Sequence, residues 1–417
     1  MPYQRPKRRT NARRPNTHRA ASNHRSEQRP STSAHRHANS VVTRDLAPRP
    51  VPINMSDVGR PLFVAQTQPG IGKLLWNEIS AKISKATLLA ERHITGKDDA
   101  LLFHCEAKAD DLLNLRTAED IFVVAARSFN ISPSENGVKQ IHATVKSSQL
   151  VNTALATWQK LHGKLPKILP YRVVTRVTGK QSYPRKAITN AVADAIRDGW
   201  MGGQWRLQED EAPLELWATL FGTELIVALR LSDATMRHRI QREVTRMAAL
   251  RPVVAAAMVQ LSEPKADDVF LDPMAGTGTI VAERASIGAY NRLIAGDKSR
   301  DAVKALTKNL QALGGDLAIR RLDATDLPFE NGEISKIVVN LPFGKQYSNI
   351  EELHQLYDGV CAEWERVVMP NGLIVALAAE DDILRQKIAL FDSLRIRKNY
   401  PITILGHKAT IVVIMRK

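Results

Sequence analysis

Residues 269–279 read Val-Phe-Leu-Asp-Pro-Met-Ala-Gly-Thr-Gly-Thr. An apolar run ends in an acidic residue, and two glycines then open onto a stretch with helical spacing. A strand, a tight turn and a helix start in that order fit few architectures. Gly276 and Gly278 let the backbone approach a ligand with no Cβ in the way. From Glu263 onward the pattern alternates. Strands are expected at 268–271, 293–296, 319–321, 337–340 and 373–379, with helices at 277–287 and 301–313. The alternation predicts a doubly wound, mainly parallel α/β sheet, Rossmann-like in plan. Leu394–Leu405 and Ala409–Met415 are strand-like and only Gly406, His407 and Lys408 separate them. They predict a hairpin that makes the last strand antiparallel.

Three acidic residues close successive strands of this pattern. Asp272 precedes the glycines. A carboxylate there repels phosphates and favours a ligand with an ammonium or sulfonium centre, whereas a bare helix N-terminus would suit an anion. Asp297 follows the second strand, at Ala295-Gly296-Asp297. Such a carboxylate accepts hydrogen bonds from both hydroxyls of a ribose. That fits an adenosine-type cofactor and leaves adenosylmethionine and NAD both open. Asp323 follows the third strand and is placed to meet an adenine amino group, although an Asp in that setting also serves as a cap. The fourth strand runs into Asn340-Leu341-Pro342-Phe343-Gly344-Lys345. An Asn side-chain oxygen and a neighbouring backbone carbonyl can accept both protons of an exocyclic amine. Pro342 fixes the turn, and Phe343 offers a face for a flipped-out base. Chemistry of this kind depends on alignment and needs no metal or covalent nucleophile.

The front of the chain has a different character. Residues 1–50 hold twelve Lys or Arg against Glu27 and Asp45, so +10 of the net +16 sits there. Residues 1–40 contain no Leu, Ile, Val or Phe, which predicts disorder. A basic tail suits a polyanionic partner, and a solvated extension without a target explains it equally well. Folded sequence is expected from Pro61. It starts with strands at 62–65, 100–104 and 121–125 and helices at 72–83 and 109–115. Helices at 151–161 and 185–197, a strand at 171–177 and a hairpin of 214–221 with 224–231 follow. Ser232 to Ser262, with Arg237, Arg239, Arg242 and Arg246, reads as a basic helical connection between two halves.

With these motifs in hand, the chain resembles the THUMP-containing guanine-N2 RNA methyltransferases. The likeness rests on Asp272 to Thr279 and Asn340 to Gly344. It extends to Phe63–Gly70, Leu115-Arg116-Thr117-Ala118-Glu119, Arg176–Lys180 with the helix from Arg185, and Leu250-Arg251-Pro252, all in family order. The resemblance implies a tail and linker at 1–60, a ferredoxin-like domain at 61–130, a THUMP RNA-binding domain at 131–232, a helical linker at 233–262, and a seven-stranded class I methyltransferase domain at 263–417. It implies S-adenosyl-L-methionine as cofactor, held by Asp272, Met274, Ala275, Gly276, Thr277, Gly278, Thr279, Asp297, Lys298, Asp323, Ala324 and Asn340. It implies that Asn340, Leu341, Pro342 and Phe343 act on guanosine N2, most commonly in a tRNA acceptor stem, and that Lys180, Arg185 and Lys186 grip RNA. Leu341 and Phe343 depart from the common Asn-Pro-Pro-Tyr pattern, but a Leu still presents a carbonyl and a Phe still stacks. Amino methylation of adenine N6 or of another RNA, and an inactive RNA-binding protein, are the alternatives; a dehydrogenase is a more distant one.

The bulk composition narrows the setting. At 44% hydrophobic and 24% charged residues the chain is of globular type. No apolar run reaches the roughly 18 residues that a bilayer span needs, and the N-terminus shows no apolar signal core. Cys105 and Cys361 lie far apart, which suits neither a disulfide framework nor a metal site. A cytoplasmic protein that binds no membrane and no metal is therefore expected.

Overall fold

The structure, a computed structural model, describes residues 59–94, 98–200, 204–239, 250–343, 350–404 and 406–417. The basic tail, Arg242, Arg246, Gly344 and Lys345 lie outside the described residues.

The front half carries β1 (Leu62–Thr67), α1 (Gly72–Lys82), β2 (Thr87–Ile94), β3 (Asp98–His104), α2 (Ala109–Leu113), β4 (Asp120–Ser128), α3 (Asn136–Lys146), α4 (Val151–His162), β5 (Ile168–Thr178), α5 (Arg185–Gly199), β6 (Gln204–Leu207), β7 (Leu214–Phe221), β8 (Glu224–Arg230) and α6 (Ala234–His238). Its strands form one eight-stranded sheet in the order β2-β3-β1-β4-β8-β7-β5-β6. The resemblance puts a domain boundary near residue 130; there β4 pairs directly with β8, Phe122 opposite Arg230. The sheet therefore runs unbroken through that position. Strand alternation sorts the side chains by face. Phe63, Phe103, Val123 and Leu216 point into a core shared with Leu75, Ile79, Ile141, Leu155 and Ile188 of the helices. Leu62, Val64, Leu102, Phe122, Trp217 and Ile226 gather on the opposite face.

The back half carries α7 (Pro252–Leu261), β9 (Val269–Asp272), α8 (Thr279–Ala285), β10 (Arg292–Asp297), α9 (Arg300–Leu310), β11 (Leu317–Arg321), β12 (Ile334–Asn340), α10 (Ile350–Val367), β13 (Val368–Ala378), α11 (Asp381–Ile388), β14 (Leu394–Ile404) and β15 (His407–Arg416). Its seven strands are ordered β11-β10-β9-β12-β13-β15-β14. All the pairs from β11 to β13 are parallel, and β15 is antiparallel to both its neighbours. One buried cluster lies on each face of this sheet. The order reverses between β9 and β12, which puts the topological switch point, where such sheets bind ligands, beside Asp272.

The stretch from Ser232 to Ser262, expected to be largely helical, shows two separate helices among its described residues, α6 and α7. Its described arginines bond to the folded front half. Arg237 pairs with the buried Asp120. Arg239 donates to the carbonyls of Leu115, Arg116 and Ala118. Front and back halves also share apolar packing, since Ile71 and Leu74 of the front half sit in the cluster that holds Ile402 and Ile404. Gln68 Nε2 donates to the Thr403 carbonyl at 2.7 Å, and Thr403 N–H returns to Pro69 at 3.2 Å.

Candidate active site

Three strand-ending acids share one local geometry. The Asp272 carboxylate accepts the N–H of Met274 at 3.2 Å, Asp297 that of Ser299 at 2.9 Å, and Asp323 that of Thr325 at 3.1 Å. Each is the side-chain-to-backbone turn that Asp forms two residues on. It fixes each carboxylate at the C-terminal edge of β9, β10 or β11.

Asp272 is 1% exposed, and its Oδ2 has no hydrogen-bond partner. Burial pushes its carboxyl well above the usual carboxylate range. The Met274 N–H opposes that shift, and the nearby Asp297 charge adds to it. The sequence suggests a standing negative charge here. In the unliganded protein, burial instead biases the group toward its neutral form, and a cationic group at Oδ2 would restore the carboxylate.

Asp297 holds the glycine turn. Its Oδ2 accepts the Gly276 N–H at 3.0 Å while Oδ1 takes Ser299. Each oxygen keeps a lone pair, so acceptance from two hydroxyls stays open. Gly276 has φ +57°, and a Cβ built on it would meet nothing within 4 Å. The space over it is free for a ligand. Gly278 has φ +89°, and a Cβ there would lie 2.9 Å from Leu310, so this glycine serves close packing. The Ala275 N–H donates to Gly296 at 2.7 Å, and Asn309 Nδ2 holds the Thr277 carbonyl at 3.1 Å. Thr277 and Thr279 are buried, and Met274 packs partly buried beneath the sheet.

Asp323 is already engaged. Its Oδ1 accepts the Thr325 hydroxyl at 2.8 Å, and its Oδ2 pairs with Lys298 Nζ at 2.7 Å. The Lys298 hydrogen bond, then those of Thr325, hold its carboxyl below the usual range. Lys298 thus meets the adjacent acid, while Ala324 is buried between Asp323 and Thr325.

Asn340 ends β12, opposite Leu377. Its Oδ1 is buried and, like Asp272 Oδ2, has no hydrogen-bond partner. Since β12 lies parallel beside β9, the residues that carry both orphaned oxygens end neighbouring strands at the same C-terminal edge of the sheet. Leu341 is fully buried, and its N–H is fixed to Leu377 at 3.0 Å. Pro342 and Phe343 are half-buried, and Phe343 leans on the cluster that contains Ala275. The loop after β12 and the glycine turn thus share one apolar support. Lys180, Arg185 and Lys186 are exposed and belong to the other sheet, around the turn from β5 into α5.

Sequence reasoning missed Ser299 and Asn309, which set the turn. The aspartate followed two residues later by Ser299 was a legible turn signal; nothing marked Asn309. Two free buried acceptors, two nearby carboxylates and an open glycine suit a ligand that brings a cationic centre, hydroxyls and amine protons.

Residues 239–408 match the family described as UPF0020: RMKL-like, methyltransferase domain. The chain is 26% identical over 261 residues to the mouse (Mus musculus) tRNA (guanine(6)-N(2))-methyltransferase THUMP3, which covers 58% of this chain and 50% of that protein. It is 24% identical to the tRNA (guanine(6)-N2)-methyltransferase of Thermus thermophilus, over 78% of this chain and 91% of that one. Among solved structures, TrmN from Thermus thermophilus superposes with a TM-score of 0.69 at 22% identity, covering 86% of this chain and all of that one. The chain spans about half the length of the mammalian relatives it matches. The switch-point geometry and the matched sequence agree: residues 239–408 resemble the RMKL-like methyltransferase domain of UPF0020.

Proposed function

We propose that the protein transfers a methyl group from S-adenosyl-L-methionine to the N2 amine of a guanosine in structured RNA, with tRNA, at its acceptor stem, as the first substrate to test. The observation that carries this reading is the pair of buried, donor-less oxygens, Asn340 Oδ1 and Asp272 Oδ2, at one sheet edge. One waits for a donor on the acceptor side, and the other waits on the cofactor side. The mammalian and bacterial relatives named above act on tRNA guanine by their names, which supports the choice of base.

The cofactor, when bound, supplies a methyl already activated on a sulfonium. Asp272 holds its cationic end, Gly276 gives it room, and Asp297 accepts from its hydroxyls. Asp323, Ala324 and Lys298 line the far end, where the Lys298 pair leaves Asp323 a lone pair for an amine. On the acceptor side Asn340 Oδ1 and a loop carbonyl, that of Leu341 or Pro342, would accept hydrogen bonds from the two amine hydrogens and turn the nitrogen lone pair toward the methyl; the N–C bond would form as the sulfonium C–S bond breaks, and one amine proton would leave to solvent. Those acceptors also stabilise the positive charge that grows on the nitrogen. Phe343 stacks the extruded base. Rate then comes from alignment, in which a misplacement of about 1 Å costs roughly 100-fold.

In this reading residues 61–130 and 131–232 are a ferredoxin-like and a THUMP domain fused through one sheet. Lys180, Arg185 and Lys186 supply cations for RNA phosphates, and the protein works in the cytoplasm. Among the described residues no helix is long and apolar enough to cross a membrane. The test is nucleoside mass spectrometry of RNA incubated with the protein and labelled cofactor. N2-methylguanosine is expected; label confined to adenosine, protein or DNA refutes the acceptor assignment.

A further inference from the structure

The segment Leu115–Glu119, between α2 and β4, meets the catalytic half through charge. Arg116 reaches Glu283 Oε2 with both Nε and Nη2 at 2.9 Å. Glu283 is fully buried on α8, the helix that the glycine turn opens. Arg239 Nη1 approaches the same oxygen at 3.6 Å. Three residues after Arg116, Glu119 pairs with Arg251 at the start of α7 at 2.9 Å.

The other side of the segment is tied to the front half. Glu78 of α1 accepts the Arg116 N–H at 2.9 Å and the Thr117 N–H at 2.8 Å, together with the Thr117 hydroxyl. Thr67 Oγ1 donates to the Thr117 carbonyl at 2.6 Å. Arg116 is thus held at its backbone by the front half and bonds at its side chain to the helix behind the glycine turn.

From this arrangement we infer that Arg116 is a positioning residue for methyl transfer, which sets, through Glu283, where the glycine turn stands relative to RNA held by the front half. The inference rests on the RNA methyltransferase reading above.

Glu283 lies five residues, roughly 7.5 Å of helix, beyond Gly278. A helix moves as a rod over that length, so a shift at Glu283 carries to the turn. Stability alone is a poor reason for the pair. Burial outweighs both arginines and leaves the Glu283 carboxyl above its ordinary value, and apolar packing often holds such a seam as well as ions do. Two Arg116 nitrogens converging on the one oxygen Oε2 fix the direction of the contact, which apolar packing defines less sharply.

The test uses the full chain as wild type, Arg116→Ala, Arg116→Lys and Glu283→Gln. Three quantities are read: the dissociation constant of S-adenosylhomocysteine, that of total tRNA from a strain lacking the protein, and the single-turnover rate with both sites saturated. Arg116→Ala and Glu283→Gln are expected to slow the saturated rate tenfold or more, with both dissociation constants within twofold of wild type. Arg116→Lys should recover at least a third of the wild-type rate. A saturated rate within twofold of wild type overturns the inference. So does a loss explained by weaker binding of either probe, and so does failure of both Arg116→Ala and Glu283→Gln to fold. A wild type that methylates adenosine refutes the guanosine reading alone, and the seam is then read from that product. A wild type that methylates nothing overturns both.

Discussion

Arg92 on β2 and Glu224 on β8 have three strands between them in the sheet, yet Arg92 Nε meets Glu224 Oε2 at 2.6 Å. Arg127 approaches the other oxygen of the same carboxylate at 2.7 Å. Further along, Asp98 on β3 pairs with Arg176 on β5 across four intervening strands. Such pairs require the sheet to curl back over Phe122 and Trp217, whose rings lie 5.0 Å apart. Glu224→Gln would leave Arg92 and Arg127, 7% and 1% exposed, without their counter-charge. We expect a loss of about 3–5 kcal/mol, measured by urea unfolding; a loss under about 1 kcal/mol would show that these ions are hydrated in solution.

Asp272 sets cofactor binding against stability. Its folded pKa lies above the ordinary 3.8, so the folded state binds the proton more tightly than the unfolded chain. Stability from this group is therefore present at acid pH and lost as pH rises through the folded value. Asp272→Asn should stabilise the unliganded protein at neutral pH by about 1–3 kcal/mol and weaken adenosylmethionine binding tenfold or more. The stabilisation should shrink toward pH 4, which calorimetric melting across a pH series would check. A gain that stays constant with pH would rule out ionisation as its source.

The two glycines of the turn should fail differently. At Gly276 an alanine has free space but an unfavourable φ of +57°, so folding should lose only about 1–2 kcal/mol while the methyl intrudes where the ligand lies. At Gly278 the same strain is joined by contact with Leu310 at 2.9 Å, which adds about 1–3 kcal/mol. Melting and cofactor titration of both variants distinguish the cases. Equal effects on both readouts would contradict the division of labour.

Asn340→Ala removes the orphaned acceptor and touches no hydrogen bond to Oδ1. A fall of about 100- to 1000-fold in turnover is expected, with cofactor affinity within twofold of wild type. Full turnover in the variant would rule out the acceptor loop.

Changing Lys180, Arg185 and Lys186 together to Ala should weaken RNA binding and flatten its salt dependence. Loss of three phosphate contacts lowers the slope of log K against log salt by about 2–3. An unchanged slope across a salt titration would place the RNA elsewhere.

The catalytic half was legible because its signals are local. An apolar strand, an acid and two glycines within Val269–Thr279 dictate strand, turn and helix, and the structure builds β9 and α8 there. The edge elements were harder. In β2, charged Glu91 and Arg92 interrupt the alternation, and Arg92 turns inward only because Glu224 meets it. In α3 and α10 the apolar spacing is clear afterwards, at Ile141 and Val145 or at Leu353, Tyr357, Val360 and Trp364, and at α3 no side-chain hydrogen bond from Glu135 caps the first turn. At the site, positions were readable and engagement was not. Nothing in Asp323 announces its pairing with Lys298, and nothing in Arg237 or Arg239 shows that they serve the interior instead of RNA. Those outcomes depend on neighbours more than a hundred residues away in the case of the arginines, which local pattern does not encode.

The pairing of β4 with β8 imposes a waiting time during synthesis. β4 ends at Ser128 and its partner begins at Glu224, so at ribosomal speeds of about 5–20 residues per second the free edge of β4 stays unpaired for about 5–20 s. Throughout that interval an uncovered strand rich in Val, Ile and Phe is a template for foreign chains. A nascent chain that stalls between these two strands should be a preferred client of chaperones.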